Sequence, residues 1–125
     1  MSARPGRKVN DRPRIRFGTS GWRGVLGEDF HFAGARAVAA ALARQVGAPA
    51  ARPRVLVAHD TRFLGERLAE EAAAVLAGAG ARPLLCAGPT PTPVVNHALR
   101  GSRAAAALVF TASHNPPAYQ GLKVL

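Results

Sequence analysis

Short apolar runs that suit β-strands alternate along the chain with longer runs in which apolar residues recur at helical spacing. The predicted strands are 14–17, 54–58, 82–87, 104–110 and a last one from 121, and the predicted helices are 32–46, 64–77 and 93–100. This alternation is typical of an α/β sheet covered by helices. We predict a three-layer α/β/α domain with a mostly parallel mixed sheet, truncated at its C-terminal end because the chain stops inside an apolar run.

The start of the third predicted helix has a clear local signal. Thr92 is a good N-cap residue, and Pro93 would occupy the first helical position, where its missing N–H costs nothing. The sequence therefore predicts that Thr92 caps this helix.

Charge divides the chain into two parts. The 125 residues carry a formal net charge of +10, and basic residues are dense before residue 17. We expect residues 1–13 to form a flexible basic leader and residues 14–125 to form the domain. A charge of this size suggests a polyanionic partner, but the leader has no aromatic residues that could stack on single-stranded bases. Nucleic acid is therefore disfavoured as a partner.

Several classes of protein are excluded by composition. The single cysteine, Cys86, excludes a disulfide framework. No apolar run approaches the roughly 20 residues that cross a bilayer, and residues 1–16 lack the apolar stretch of a secretory signal. We expect a cytoplasmic protein with no membrane partner.

The segment from Thr111 to Lys123 combines groups that suit a phosphate. Ligands of open α/β sheets bind beyond the carboxyl ends of strands, and the strand 104–110 would bring Ser113 to that edge. Side chains alternate between the two faces of a strand, so Lys123 can point toward the same ligand-binding opening as Ser113. A hydroxyl, the His114 imidazole and an ammonium would then share one small space that favours an anion.

A second segment, 17–24, is rich in glycine and contains Arg23. Its glycines allow close approach of the backbone, and the planar guanidinium of Arg23 matches phosphate oxygens. Taken singly, these features are commonly structural; a lysine stem, for example, often lies along apolar surface. Their combination is more specific.

Four separated segments, in this order, carry a resemblance: 17–24, 60–62, 88–93 and 111–116. Together the chain resembles the N-terminal domain of the α-D-phosphohexomutases, the phosphoglucomutase/phosphomannomutase family. The residues of the first and third segments look more like those of the phosphoglucomutase/phosphomannomutase branch than those of the phosphoglucosamine mutase branch. The resemblance implies domain I of such an enzyme over 14–125, incomplete, with the downstream metal-, sugar- and phosphate-binding domains absent.

The resemblance also implies roles for four catalytic residues. Ser113 matches the serine that is phosphorylated in the resting enzyme, and His114 would orient its loop and phosphate. Lys123 matches the general acid/base beside the substrate hydroxyl. Arg23 matches the arginine near the transferring phosphoryl group.

Three further positions follow from the same resemblance. Asp60 and Arg62 are expected to support the site rather than to contact sugar. Gln120 departs from the asparagine that the family usually has, which we expect to affect the turn before Lys123.

The reaction implied is transfer of a phosphoryl group between the 1- and 6-oxygens of a hexose, through phosphoserine and a bisphosphate intermediate. Hexose phosphate would be the substrate, Mg²⁺ the cofactor and glucose 1,6-bisphosphate the activator. The family's Asp-rich metal loop has no counterpart here, because Asp11, Asp29 and Asp60 are far apart. The phosphate on Ser113 is then one expected metal ligand. The remaining domains of the full-length enzyme are expected partners, and the chain alone is expected to turn over little or no substrate.

Two alternatives stay open. The chain could be a non-catalytic basic module that binds sugar phosphates or nucleic acid; salt-dependent binding to arbitrary DNA would favour it. It could also be a degenerate remnant that folds poorly, which cooperative unfolding would count against. The sequence leaves the choice between glucose and mannose open.

Overall fold

The computed structural model describes residues 15–125, so the leader predicted at 1–13 and residue 14 lie outside it. Five strands and three helices alternate in the predicted order. The elements are β1 (Trp22–Val25), α1 (Phe32–Gln45), β2 (Arg54–His59), α2 (Gly65–Gly78), β3 (Arg82–Leu85), α3 (Thr92–Gly101), β4 (Ala106–Phe110) and β5 (Tyr119–Val124).

The strands form one mixed sheet in the order β1-β5-β4-β2-β3. β2 is parallel to β3 and β4, whereas β5 is antiparallel to β4 and β1. The mixed sheet is confirmed, with its pairings divided evenly between the two directions. The reason is the connection 111–118, which contains no helix and returns the chain directly beside β4; a parallel neighbour needs a longer crossover.

Helices cover both faces of the sheet, which confirms the three-layer architecture. On one face, α2 packs on β2 and β4, α1 packs on α2, and both helices share a core cluster with alternate residues of these strands, where Val57, Leu108 and Phe110 are fully buried. On the other face, α3 packs on the intervening residues of the same strands through Val95 and Leu99. The two clusters account for the continuous apolar runs of β2 and β4, since strands buried on both faces carry apolar residues at successive positions.

The first strand is displaced from its predicted position. Residues 15–17 of the strand predicted at 14–17 are not in a strand, and β1 lies at Trp22–Val25, where it overlaps the end of the glycine-rich segment 17–24. Gly18 and Gly21 exchange backbone hydrogen bonds of 3.0 and 3.2 Å, which make a tight turn. The strand begins after this turn because Trp22 is buried, with its ring centroid 4.1 Å from that of Phe30.

The third helix begins one residue earlier than expected. Pro91 is the N-cap, in an extended conformation, and Thr92 is helical and makes no capping bond, so the predicted Thr92 cap is wrong. The carbonyl of Pro91 accepts hydrogen bonds from the amides of Val94 and Val95, which places the first helical turn directly after Pro91. Within residues 15–125, no helix has the length and apolar character needed to cross a bilayer.

Candidate active site

The loop after β4 presents Ser113 to solvent. Ser113 adopts a left-handed conformation with φ 54°, which is uncommon for a residue with a side chain. Its amide donates to Oγ1 of Thr111 at 3.1 Å, and the amide of Asn115 donates to the carbonyl of Ala112 at 3.0 Å. These bonds fold the loop tightly and leave the serine side chain exposed, with Oγ 3.4 Å from Nδ1 of His114.

Arg62 holds this loop by donating to three of its backbone carbonyls and to the carbonyl of the first residue of β5. The guanidinium donates to the carbonyls of Ser113 (2.8 Å), Asn115 (2.6 Å), Pro116 (2.9 Å) and Tyr119 (3.1 Å). Two of these bonds come from Nη1 and two from Nη2. All terminal N–H groups are therefore committed to the protein, and Arg62 supports the loop instead of offering donors to a ligand.

Asp60 in turn positions Arg62. One carboxylate oxygen accepts the backbone amide of Arg62 at 3.0 Å, and the other lies 3.7 Å from Nε of the same residue. The amide of Asp60 donates to the carbonyl of Phe110 at 3.0 Å. The end of β2 is thus tied both to the end of β4 and to the Ser113 loop, and the geometry agrees with the supporting role expected for this pair.

Arg23 and Lys123 share one face of the sheet. Arg23 lies opposite Gly121 in the antiparallel pairing of β1 with β5, and Lys123 is two residues further along β5. Because cross-strand partners and every second residue point to the same face, both side chains lie opposite the face where Trp22 and Leu122 join the core.

Arg23 is also connected directly to the Ser113 loop. Its Nη1 donates to Oδ1 of Asn115 at 2.9 Å, whereas its buried Nε has no hydrogen-bond partner among the described residues. A Cβ at Gly121 would collide with the carbonyl oxygen of Thr111 and lie 3.1 Å from Cγ of Arg23. Glycine at 121 therefore allows the aliphatic part of the Arg23 side chain to pass close to the backbone of β5.

The glycine turn of the first segment packs on Lys123. Gly21 has φ 92°, and a Cβ there would lie 3.0 Å from Cγ of Lys123 and 2.6 Å from the carbonyl oxygen of Leu122. Both the positive φ and the contact require glycine. The two segments singled out in the sequence, 17–24 and 111–123, are thus brought together. Ser113 and His114 are exposed at the loop, and the half-buried Arg23 is bonded to it. Lys123 is half-buried further along β5, opposite Val109 of β4, and neither it nor Arg23 lines the pocket that contains Ser113.

Gln120 is a positioning residue whose environment the sequence did not reveal. It is fully buried within β5, not in a turn before Lys123, so the expected effect on a turn is wrong. Its Nε2 donates to the carbonyl of Phe63 at 3.1 Å, and its Oε1 accepts the amide of Gly121 at the same distance. A single glutamine inside an apolar strand was the only available signal.

A shallow pocket of about 380 Å³ lies beside the serine, with one carboxylate in its lining. The lining residues are Asp60, Thr61, Arg62, Phe63, Ser113, Asn115 and Pro117. The described residues contain no group of three or more His, Cys, Asp or Glu side chains that could hold a metal ion. Because both oxygens of Asp60 face Arg62, these residues do not fit a protein-bound Mg²⁺ site.

Residues 14–125 match the family model for phosphoglucomutase/phosphomannomutase, alpha/beta/alpha domain I. Among curated proteins, the chain is 41% identical over 115 residues to a phosphoglucosamine mutase of Methylibium petroleiphilum, covering 88% of this chain and 25% of the relative. It is 44% identical over 109 residues to a phosphoglucosamine mutase of Thermotoga petrophila, covering 87% and 24% respectively. The chain therefore spans about a quarter of the length of these relatives.

Two solved structures share the fold. A proposed phosphomannomutase from Thermus thermophilus is 43% identical, with a TM-score of 0.83 over 90% of this chain and 25% of that one. A phosphoglucomutase/phosphomannomutase family protein from Burkholderia thailandensis is 34% identical, with a TM-score of 0.74 over 86% and 25%. The predicted family is confirmed. The preference for one branch stays a prediction, because the relatives carry names from both.

Proposed function

The chain belongs to the phosphoglucomutase/phosphomannomutase family, and we propose that it is the phosphoserine domain of a phosphohexomutase that interconverts hexose 1-phosphate and hexose 6-phosphate. The observation that carries this proposal is the loop of Ser113. An exposed hydroxyl stands on a left-handed turn, the loop beneath it is held by four hydrogen bonds from Arg62, and a second arginine contacts the same loop.

Ser113 acts as the phosphoryl carrier. When it accepts a phosphoryl group from a hexose bisphosphate, the Oγ–P bond forms while the sugar O–P bond breaks, and the serine proton passes to the sugar oxygen. In the reverse step the free hydroxyl of the sugar forms a new O–P bond, the Oγ–P bond of the phosphoserine breaks, and the proton of that hydroxyl returns to Oγ of Ser113. The protein contributes position and charge, because the transition state of phosphoryl transfer is loose and places negative charge on the equatorial oxygens.

Arg23 and Lys123 supply that charge in the proposed mechanism. The guanidinium of Arg23 is held at the Ser113 loop by its bond to Asn115, and its planar, permanently charged group suits phosphoryl oxygens. Lys123, on the same face, is the proposed general acid/base at the sugar hydroxyl, and His114 orients the phosphate through its contact with Oγ of Ser113.

The substrate class, cofactor, partners and location belong to the same proposal. Hexose phosphate is the substrate and glucose 1,6-bisphosphate the activator. Mg²⁺ would take one ligand from the phosphate on Ser113 and its other ligands from outside residues 15–125. The other domains of a longer phosphohexomutase are the proposed protein partners, in the cytoplasm. An amino sugar phosphate is a second candidate substrate, because the two curated relatives are named phosphoglucosamine mutases.

The test is phosphopeptide mapping of the complete gene product after incubation with glucose 1,6-bisphosphate. We expect phosphate on Ser113, its loss in Ser113→Ala, and its retention in the matched control Ser102→Ala. Ser102 is the C-cap of α3, and its backbone carbonyl bond to Arg54 does not depend on the side chain. Phosphate on another residue, or none, would contradict the proposal and favour the non-catalytic binding module.

A further inference from the structure

Phe63 is the most exposed of the large hydrophobic side chains among the described residues. It is 74% exposed, while the next, Val94, is 52% exposed. A phenylalanine in water forgoes the burial that stabilises it elsewhere, about 1.5–3 kcal/mol for a full side chain. What distinguishes this side chain is its position, because Phe63 lines the pocket that also contains Ser113.

The backbone around Phe63 is held in place by hydrogen bonds. The exposure of the ring is therefore not caused by a mobile loop. The carbonyl of Phe63 accepts the bond from the fully buried Gln120. The next residue, Leu64, has φ 64°, a left-handed conformation that persists only where the surroundings impose it. On the other side, Arg62 is fixed by three bonds to the Ser113 loop and one to the first residue of β5.

The ring borders the same pocket as the nucleophile. Phe63 and Pro117 give this pocket of about 380 Å³ an apolar wall, while Ser113 and Asn115 give it a polar one. Ligand pockets combine apolar and aromatic walls with a few placed polar groups. A pyranose has the complementary shape, with an apolar C–H face and hydroxyls at its edge.

We propose that the ring of Phe63 is the platform on which the hexose of the substrate packs while its reacting oxygen faces Ser113. The inference rests on the proposed phosphohexomutase function and adds to it a residue that contacts the sugar. The contact that Phe63 and Pro117 make with the sugar is apolar, and it serves each hexose epimer that presents a C–H face.

The test is steady-state kinetics of the complete gene product with hexose 1-phosphate for Phe63→Ala, Phe63→Tyr and the matched control Val94→Ala. Val94 is an exposed apolar residue on α3, outside the residues that line the pocket. We expect Phe63→Ala to raise KM about tenfold, while Phe63→Tyr and Val94→Ala stay within about twofold of the wild type.

Two further readouts separate the possible failures. Phosphorylation of Ser113 by glucose 1,6-bisphosphate in the wild type tests the proposed function alone, and its absence would overturn that function. If Ser113 is phosphorylated and Phe63→Ala leaves KM unchanged, the platform is wrong. A fall in Tm of Phe63→Ala with unchanged KM would show that protein, not sugar, covers the ring, and this result also overturns the inference.

Discussion

The middle of the sheet and its antiparallel end differ in what covers them. β2 and β4 have helices on both faces, and all of their residues except Arg54 are buried. β1 and β5 join the core through one face only, where Trp22 and Leu122 lie. On the other face of these two strands stand Arg23 and Lys123, half-buried. Burial on two faces favours apolar residues, with His59 at the end of β2 as the polar exception, whereas a strand covered on one face can present charge to a ligand.

This comparison makes a prediction for each of the two regions of the sheet. A change on the open face of β5 should affect catalysis and leave stability nearly constant, while a change in β4 should do the reverse. Two glycines are required where β1 meets β5. Gly21 leaves space for the side chain of Lys123, and Gly121 leaves space for the side chain of Arg23.

The largest effect is expected for Lys123→Met, which keeps the length and apolar contacts of the stem and removes the ammonium. Loss of general acid/base catalysis should lower kcat about 10²–10⁴-fold. The measurement is mutase turnover of the complete gene product, with chemical denaturation as the control for stability. An unchanged kcat would show that the open face is not the catalytic one.

In the covered half, Leu108→Ala is expected to destabilise the fold by about 2–5 kcal/mol, because it leaves a cavity at a fully buried position in β4. Chemical denaturation of the 125-residue chain, followed by the fluorescence of its single tryptophan, measures this change. A loss below about 1 kcal/mol, less than any Leu→Ala change in a packed core, would mean that β4 is not in a packed core.

Arg62→Lys tests the connection between the two halves. An ammonium has three donors and cannot bridge four carbonyls as the guanidinium does, so the Ser113 loop should lose its fixed position. We expect kcat to fall about 10–100-fold, since small displacements of a reacting group are costly. Arg67→Lys, at an exposed arginine paired with Glu70 and Glu71, is the matched control and should leave kcat unchanged. Equal kcat in both variants would contradict the role of Arg62.

The smallest effect is expected for Gln120→Met, which leaves the carbonyl of Phe63 and the amide of Gly121 without their side-chain partner. An unsatisfied buried group costs about 1–3 kcal/mol. The same denaturation experiment measures the loss, and a variant as stable as the wild type would mean that these bonds contribute little.

The element order was predictable because it depends on local periodicity. The apolar pattern of 32–46 anticipated α1 at Phe32–Gln45, and the run at 54–58 anticipated β2 at Arg54–His59. The position of β1 was not predictable, because glycines that form a tight turn and glycines that form a longer loop have the same sequence pattern. Only the burial of Trp22 decides where the strand begins.

The residues of the candidate site could be predicted from the sequence, whereas their arrangement in space could not. The resemblance named Ser113, Lys123, His114 and Arg23, and their roles stay predictions. That Arg23 and Lys123 share a face depends on the register of β1 with β5, which no local pattern specifies. The bonds of Arg62 depend on the path of a loop more than fifty positions away in sequence.

The most direct test of the account follows the phosphoryl group itself. The complete gene product is labelled on Ser113 with ³²P from labelled glucose 1,6-bisphosphate, freed of sugar, and mixed with unlabelled hexose 1-phosphate. The account predicts that the label leaves Ser113 and appears in hexose bisphosphate and hexose 6-phosphate. Label that stays on the protein, or that is released only as inorganic phosphate, would contradict a serine that carries a transferable phosphoryl group.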